Sequence, residues 1–264
     1  MTACVRRPES SMYTVFIIGM AGSGKSLLTR SLAQFFQDEE QDTVIVNLDP
    51  GALTLPYSAD IDIRDRINVT DIMDRLGLGP NGALVYAADL MATEIDKLRE
   101  DVEETKASFV FVDTPGQMEL FAFRPSGPLL ASSLTDGPKA VVYLFDALFS
   151  SDPFNYVSNL FLAAALYTRF QMPQVHALTK IDLLPPEKVD EMVSWSEEPE
   201  NLEAAIAETL KGERYLLTRD LVATIGESGV FTELIPVSSE TSTGFADLAA
   251  ACTRNLTGGE EILE

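Results

Sequence analysis

Three short motifs carry residue types, at spacings, that can handle phosphates, a divalent cation and a nucleobase. The first is Gly19-Met20-Ala21-Gly22-Ser23-Gly24-Lys25-Ser26, which matches Gly-x-x-x-x-Gly-Lys-Ser/Thr. Its glycines permit positive φ and close backbone approach, so successive N–H groups converge on an anion. A helix starting behind them adds the partial positive charge of its N-terminus. Lys25 then reaches the β- and γ-phosphates of a nucleotide, and the Ser26 hydroxyl ligates Mg²⁺. Gly22, Ser23, Gly24, Lys25, Ser26 and Leu27 are therefore the candidate phosphate-binding residues.

The second motif is Asp113-Thr114-Pro115-Gly116-Gln117, at the end of an apolar run. Asp113 stands where such a site needs a carboxylate to hold Mg²⁺, directly or through water. The Gly116 N–H can meet a γ-phosphate, and Gln117 follows where a glutamine can orient attacking water. Alone, an Asp-x-x-Gly turn is a common strand terminator; behind a phosphate loop it gains weight. The third motif, Thr179-Lys180-Ile181-Asp182, matches Asn/Thr-Lys-x-Asp. A carboxylate such as Asp182 accepts two hydrogen bonds from N1–H and N2–H₂ of guanine. Adenine lacks that donor pair, so the site discriminates against it by leaving polar groups unpaired. The Lys180 stem would lie over the base plane. Ser238-Ser239-Glu240 is a weaker match to a backbone element touching the guanine edge, with Ser239 as the candidate.

These motifs need elements to position them, and the sequence supplies them. Residues 13–19 are apolar and β-rich, and residues 25–37 carry helical spacing at Leu28, Leu32, Phe35 and Phe36. Further strands are expected at 43–48, 109–112, 139–145, 175–178 and 234–237. Residues 53–68 read as irregular and 69–76 as a short helix. One long amphipathic helix is expected through Leu84, Ala88, Met91, Ile95, Leu98 and Val102. Residues 154–170 read as an apolar helix, 190–223 as helical in two or more pieces with an exposed acidic patch at 197–200, and the last helix as ending near Arg254. Continuous apolar strands alternating with helices predict an α/β fold of the P-loop NTPase kind, mostly parallel, with helices on both faces. Ligands bind such sheets at the carboxyl ends of the strands, where all these motifs fall. The domain reading is an N-terminal extension at 1–12, one GTPase domain at 13–254, and a flexible acidic tail at 255–264.

Composition removes several classes. The 264 residues carry a net charge of −22, which argues against non-specific nucleic-acid binding and against an anionic membrane surface. So acidic a chain suits a salt-rich cytoplasm. No apolar stretch approaches a membrane span and no signal peptide is read, so a cytoplasmic location is expected. The single histidine, His176, excludes a histidine triad or a multi-histidine metal centre, and reads as a core residue. Cys4 and Cys252 read as free thiols. The aromatic-rich stretches 121–130 and 145–161 read as core, with a hydrophobic dimer face as the sharper alternative.

Two further pieces narrow the family. Asn47-Leu48-Asp49-Pro50-Gly51-Ala52, followed by Pro56-Tyr57 and Asp62-Ile63-Arg64-Asp65, resembles the second element of the GPN-loop GTPases. Gly79-Pro80-Asn81 resembles the tripeptide that names them, and Asp113 to Glu119 resembles their third element. By itself Gly79-Pro80-Asn81-Gly82 would be an ordinary turn. The resemblance runs from Tyr13 to about Ala250, and the compact chain looks like the archaeal type. It implies GTP hydrolysis to GDP and phosphate with Mg²⁺ by a dimer-activated enzyme acting as a switch or assembly factor. Asn81 of one subunit would point into the site of the other, and Asp49 would lie near Mg²⁺ and the attacking water. The expected catalytic set is Asp49, Gln117, Asn81 and Lys25, and the metal set is Ser26, Asp49 and Asp113. The implied partners are a second copy of the chain, through the GPN-loop face, and an unnamed protein client. An ATPase or small-molecule kinase on the same fold is the alternative, and competition between GTP and ATP separates the two.

Overall fold

Apolar runs rich in β-branched and aromatic residues bury the sheet from both sides. Val15, Phe16, Ile17 and Ile18 are completely buried, as are Val110, Phe111 and Val112, and so no alternation with polar residues interrupts them. The computed structural model describes residues 12–209, 212–227 and 232–258. Its strands are β1 (Tyr13–Gly19), β2 (Thr43–Asn47), β3 (Ile61–Asp62), β4 (Phe109–Asp113), β5 (Lys139–Asp146), β6 (Gln174–Thr179) and β7 (Leu234–Val237). They form one seven-stranded sheet in the order β3-β2-β4-β1-β5-β6-β7. Every ladder is parallel. Asp113 stands level with Ile17 of β1 on one side and Asn47 of β2 on the other. The carboxyl ends of three strands therefore meet at one place.

Helices cover both faces. The smaller apolar cluster joins Val15, Ile17, Phe111 and Val142 to α1 (Lys25–Asp38) and the last helix, through Leu28, Leu32, Leu248 and Cys252. The larger cluster joins Phe16, Ile18, Val112 and Tyr143 to the helices of the other face. These are α2 (Val69–Leu76), α3 (Pro80–Leu90), α4 (Ile95–Thr105), α5 (Met118–Ala122), α6 (Ser126–Ser133), α7 (Ala147–Ser150), α8 (Pro153–Phe170), α9 (Pro186–Glu197), α10 (Pro199–Thr209) and α11 (Glu213–Glu227). The last helix is α12 (Phe245–Thr257). Local chemistry fixes the ends. Asn68 Oδ1 accepts from the N–H groups of Thr70 and Asp71 to start α2, and Gly77, at φ 65°, ends it. Pro80 and Pro153 sit in the first turn of α3 and α8, where a missing N–H costs nothing.

The structure departs from the sequence reading in three places. The long helix through Leu84 to Val102 is broken into α3 and α4 by a 3₁₀ turn at Met91–Thr93. The Thr93 hydroxyl donates to the Leu90 carbonyl at 2.7 Å, a back-bond that competes with the helical ladder. The supposedly irregular 53–68 contains β3 and a 3₁₀ turn at Ile63–Asp65. The final helix runs past Arg254 to Thr257 and buries Leu256, so residues 255–257 are helical rather than tail. Cys4 and residues 259–264 lie outside the described residues.

Other expectations hold. His176 is buried in β6, and burial pulls its pKa down to about 4, so it is a neutral core residue at ordinary pH. Cys252 is a free, buried thiol pushed up to about 12 by burial. Phe121, Phe145 and Tyr156 are core. Phe123, Leu129, Leu148 and Phe149 from the same stretches stay exposed.

Candidate functional site

The loop from Gly19 to Lys25 leaves the end of β1 and turns into α1. Gly22 and Gly24 hold φ of 78° and 93°, where any other residue would be strained. Lys25 folds back over the loop and is almost fully buried. Its Nζ donates to the carbonyls of Gly19 at 3.0 Å, Met20 at 3.0 Å and Gly116 at 3.1 Å. Burial lowers its pKa, while the carboxylates of Asp113, Asp49 and Glu119 push the other way. An anionic phosphate oxygen is a stronger acceptor for this ammonium than a neutral carbonyl.

Asp49 stands just past β2 and ties two loops together. Its Oδ2 accepts from the Gly116 N–H at 2.8 Å, and its Oδ1 accepts from the Gly51 N–H at 2.9 Å. Asn47 fixes its backbone: Asn47 Oδ1 accepts from the Asp49 N–H at 3.0 Å, and Asn47 Nδ2 donates to Asp62 Oδ1 at 2.9 Å. Asp113 is 1% exposed at the end of β4. Burial raises its carboxyl above the ordinary range, against the pull of the Ser26 and Tyr57 hydroxyls and the Lys25 charge. Its Oδ2 accepts from the Tyr57 hydroxyl at 2.7 Å, whereas Oδ1 is buried without a hydrogen-bond partner. The Ser23 hydroxyl in the loop is likewise buried and unpartnered. Gln117 is exposed and lines a cavity of about 220 Å³ with Ala21, Asp49, Gly51, Leu84 and Gly116.

The candidate base reader is built onto the same loop. Thr179 Oγ1 donates to the Ser23 carbonyl at 2.8 Å. Lys180 takes a left-handed backbone, φ 63°, and its Nζ donates to the Gly22 carbonyl at 2.6 Å and to Asp146 Oδ2 at 2.5 Å. Asp146 Oδ1 caps α7 at the same time, accepting from Leu148 N and Phe149 N. Asp182 Oδ1 accepts from the Ser238 hydroxyl at 2.5 Å. Ser238, not its neighbour Ser239, thus meets the reader carboxylate. Ser239 lies half-buried on a groove with Leu27 and Arg30, beside α1.

The fold therefore brings together Lys25, Ser26, Asp49, Asp113 and Gly116, with Gln117 on the rim. Thr179 and Lys180 join the loop from the other side, and Asp182 follows them on Ser238. Asn81 stays apart. It is exposed in the first turn of α3, and its side chain has no hydrogen bond among the described residues. Arg64 is committed to Asp62 and to the Ala52 carbonyl, and Arg124 to Asp89, so neither points freely at the loop. Asn47, Tyr57, Asp146 and Ser238 had no assigned role in the sequence reading.

Comparison with known proteins bears on family and fold. A family model described as a conserved hypothetical ATP-binding protein matches residues 17–257. A GTPase in apo form from Pyrococcus abyssi, known as a crystal structure, is 31% identical, with a TM-score of 0.83 over 93% of this chain and 98% of that one. GPN-loop GTPase 1 of Saccharomyces cerevisiae is 33% identical over 89% of this chain, and GPN-loop GTPase QQT2 of Arabidopsis thaliana is 34% identical over 72%. The chain belongs to the GPN-loop GTPases. It spans 63% of the yeast relative's length and 50% of the plant one's. Its fold is that of a P-loop NTPase, and among the described residues no helix is long and apolar enough to cross a membrane.

The donor set of this GPN-loop family member fits Mg²⁺. A hard cation takes oxygen ligands, and here a buried carboxylate oxygen without a partner, Asp113 Oδ1, stands with the Ser26 hydroxyl beside that carboxylate.

Proposed function

We propose that the chain binds GTP with Mg²⁺ and hydrolyses it to GDP and phosphate. One observation carries this reading: Thr179 and Lys180 of the base reader hydrogen-bond to the Ser23 and Gly22 carbonyls of the phosphate loop. A nucleotide's two ends are thereby addressed by one rigid unit. Asp182 faces the base with a carboxylate already oriented by Ser238. That arrangement suits guanine and gives adenine no partner, despite the adenine nucleotide in the description of the matching family model.

The roles follow from the contacts. Lys25 exchanges its three carbonyl partners for β- and γ-phosphate oxygens. Ser26 and Asp113 hold Mg²⁺, which when bound neutralises the charge developing on the transferred phosphoryl group. Asp49 holds the Gly116 N–H, the donor that a γ-phosphate would claim. A γ-phosphate that takes this N–H releases the Asp49 carboxylate towards the attacking water, with Gln117 on the rim as the second water-positioning group. Phosphoryl transfer of this kind is mostly positioning and electrostatics.

Asn81 has no place in the site of its own subunit. We infer that it acts in a second copy of the chain, with the exposed Phe123, Leu129, Leu148 and Phe149 available to a homodimer face. The domain would be a single GTPase unit from Tyr13 to the end of α12 at Thr257, acting in the cytoplasm as a nucleotide-dependent switch or assembly factor. Asn81→Ala is expected to slow GTP hydrolysis on the order of a hundredfold while GTP affinity stays near wild type. Single-turnover hydrolysis beside a binding titration checks this, and an unchanged rate removes the GPN loop from the mechanism.

The parent reading is tested by calorimetric titration with GDP, ADP and a non-hydrolysable GTP analogue in Mg²⁺. Guanine-selective binding is expected. Equal or adenine-preferring binding moves the protein to the ATPase and kinase branch.

A further inference from the structure

Tyr57 belongs to the family pattern after Asp49, yet the proposed reaction gives it no role. Its hydroxyl donates to Asp113 Oδ2 at 2.7 Å across 56 positions of sequence. The ring is packed against the apolar cluster on the α1 face of the sheet, so the hydroxyl is held from behind. The chain on either side is pinned too. Arg64 Nη1 donates to the Ala52 carbonyl at 2.9 Å, and Asp60 Oδ2 accepts from the Ile45 N–H at 2.8 Å. Between those two anchors Tyr57 is the only residue in a hydrogen bond among the described residues. The excursion from Ala52 to Asp60 thus delivers one polar atom inward, and delivers it to Asp113.

The consequence lies in how a carboxylate turns. The terminal torsion of an aspartate is broad, so an Asp at a strand end does not by itself aim either oxygen. Fixing Oδ2 fixes Oδ1. Here the oxygen left over is buried and unpartnered, and the Ser26 hydroxyl stands beside the same carboxylate. We propose that Tyr57 is a positioning residue for the divalent cation: by holding Asp113 Oδ2 it keeps Oδ1 turned to the ion that accompanies the nucleotide. This rests on reading the site as one for a Mg²⁺–guanine nucleotide. Tyr57 touches neither nucleotide nor reacting atoms; it acts through Asp113. The hydroxyl also occupies Oδ2, so that the carboxylate cannot swing to offer both oxygens to other donors.

Tyr57→Phe removes the hydroxyl and keeps the ring and its packing. GDP and a non-hydrolysable GTP analogue are titrated into wild type and variant, once with Mg²⁺ and once with EDTA. A hydrogen bond to a charged group is the kind of contact whose loss is felt at roughly tenfold in an equilibrium constant. The gain in nucleotide affinity that Mg²⁺ brings is therefore expected to fall roughly tenfold in the variant, with the EDTA affinities unchanged. An equal loss with and without Mg²⁺ marks a purely structural tyrosine and overturns the assignment. So does a Mg²⁺ gain that is unchanged or larger, the latter meaning that the hydroxyl competes with the ion. A wild type that gains nothing from Mg²⁺, or prefers ADP to GDP, brings down the reading of the site first and the assignment with it. Because the readout is the ratio of two affinities, it does not depend on hydrolysis or on a partner subunit.

Discussion

Lys25→Ala is expected to abolish tight nucleotide binding, raising the Kd for GDP roughly a thousandfold, since each charge-assisted contact to phosphate oxygens is worth about 1.5–3 kcal/mol and at least two are lost. No neighbour can substitute. Lys180 reaches the loop only at the Gly22 carbonyl and is paired with Asp146. Arg64 is engaged by Asp62 and Ala52. The variant also leaves three carbonyls, of Gly19, Met20 and Gly116, without their donor, and Asp113 and Asp49 without their nearest cation. Some loss of apo stability is thus expected along with the loss of affinity. Calorimetric titration with GDP measures the affinity, and circular dichroism of the apo variant shows whether the fold persists. A Kd within tenfold of wild type in a folded variant would remove Lys25 from the phosphate contacts.

What the sequence shows of this site depends on how local each contact is. The phosphate loop, Asp113 and the Thr179–Asp182 turn were legible because each sits at the end of a continuous apolar strand, and the parallel register then brings those ends together. Strands of five to eight residues, such as β4 and β5, leave a pattern strong enough to read. The two-residue β3 does not, since two positions carry no period. The break between α3 and α4 was hidden for the opposite reason. Ala88, Met91, Ile95, Leu98 and Val102 are all buried, as the helical period requires, and the period continues through a turn that the Thr93 hydroxyl creates. Tyr57 was visible only as part of a family pattern. Its role comes from one contact across the fold, made by a segment with neither helical nor strand period. Asp146 ends a strand as an ordinary helix cap, and only the structure reveals that its second oxygen holds Lys180. Ser238 and Ser239 are indistinguishable in type. Both lie past the end of β7, where paired backbone hydrogen bonds between Ser238 and Thr243 hold the bend that leaves the Ser238 hydroxyl on Asp182, a pairing that no local pattern announces.

Asp182→Asn tests the base reader and is the second large effect. In the native chain Oδ1 accepts from Ser238 at 2.5 Å and retains a further lone pair, while Oδ2 has no protein partner among the described residues. Under the proposed reading, two acceptor oxygens are therefore available to the two donors of a guanine edge. An asparagine can keep the Ser238 bond with its carbonyl, so the turn at Ile181–Leu183 should hold its shape. Its amide then directs a donor at a guanine donor, which replaces an attraction by an unpaired, opposed pair. The GDP affinity is expected to fall on the order of a hundredfold to a thousandfold. Xanthine carries a carbonyl where guanine carries its amino group, so the same amide finds an acceptor there, and the diphosphate of xanthosine should bind the variant better than GDP does. Adenine nucleotides gain nothing, since the variant still meets them with no matching pair. Competition of GDP, XDP and ADP for the variant separates the outcomes. If GDP affinity is unchanged, Asp182 does not read the base. If all three nucleotides weaken together, the carboxylate supports the loop through Ser238 and does not discriminate. Only an inversion between GDP and XDP places Asp182 on the guanine edge, and that inversion cannot be produced by a loss of stability, because stability does not distinguish two bases that differ in one substituent.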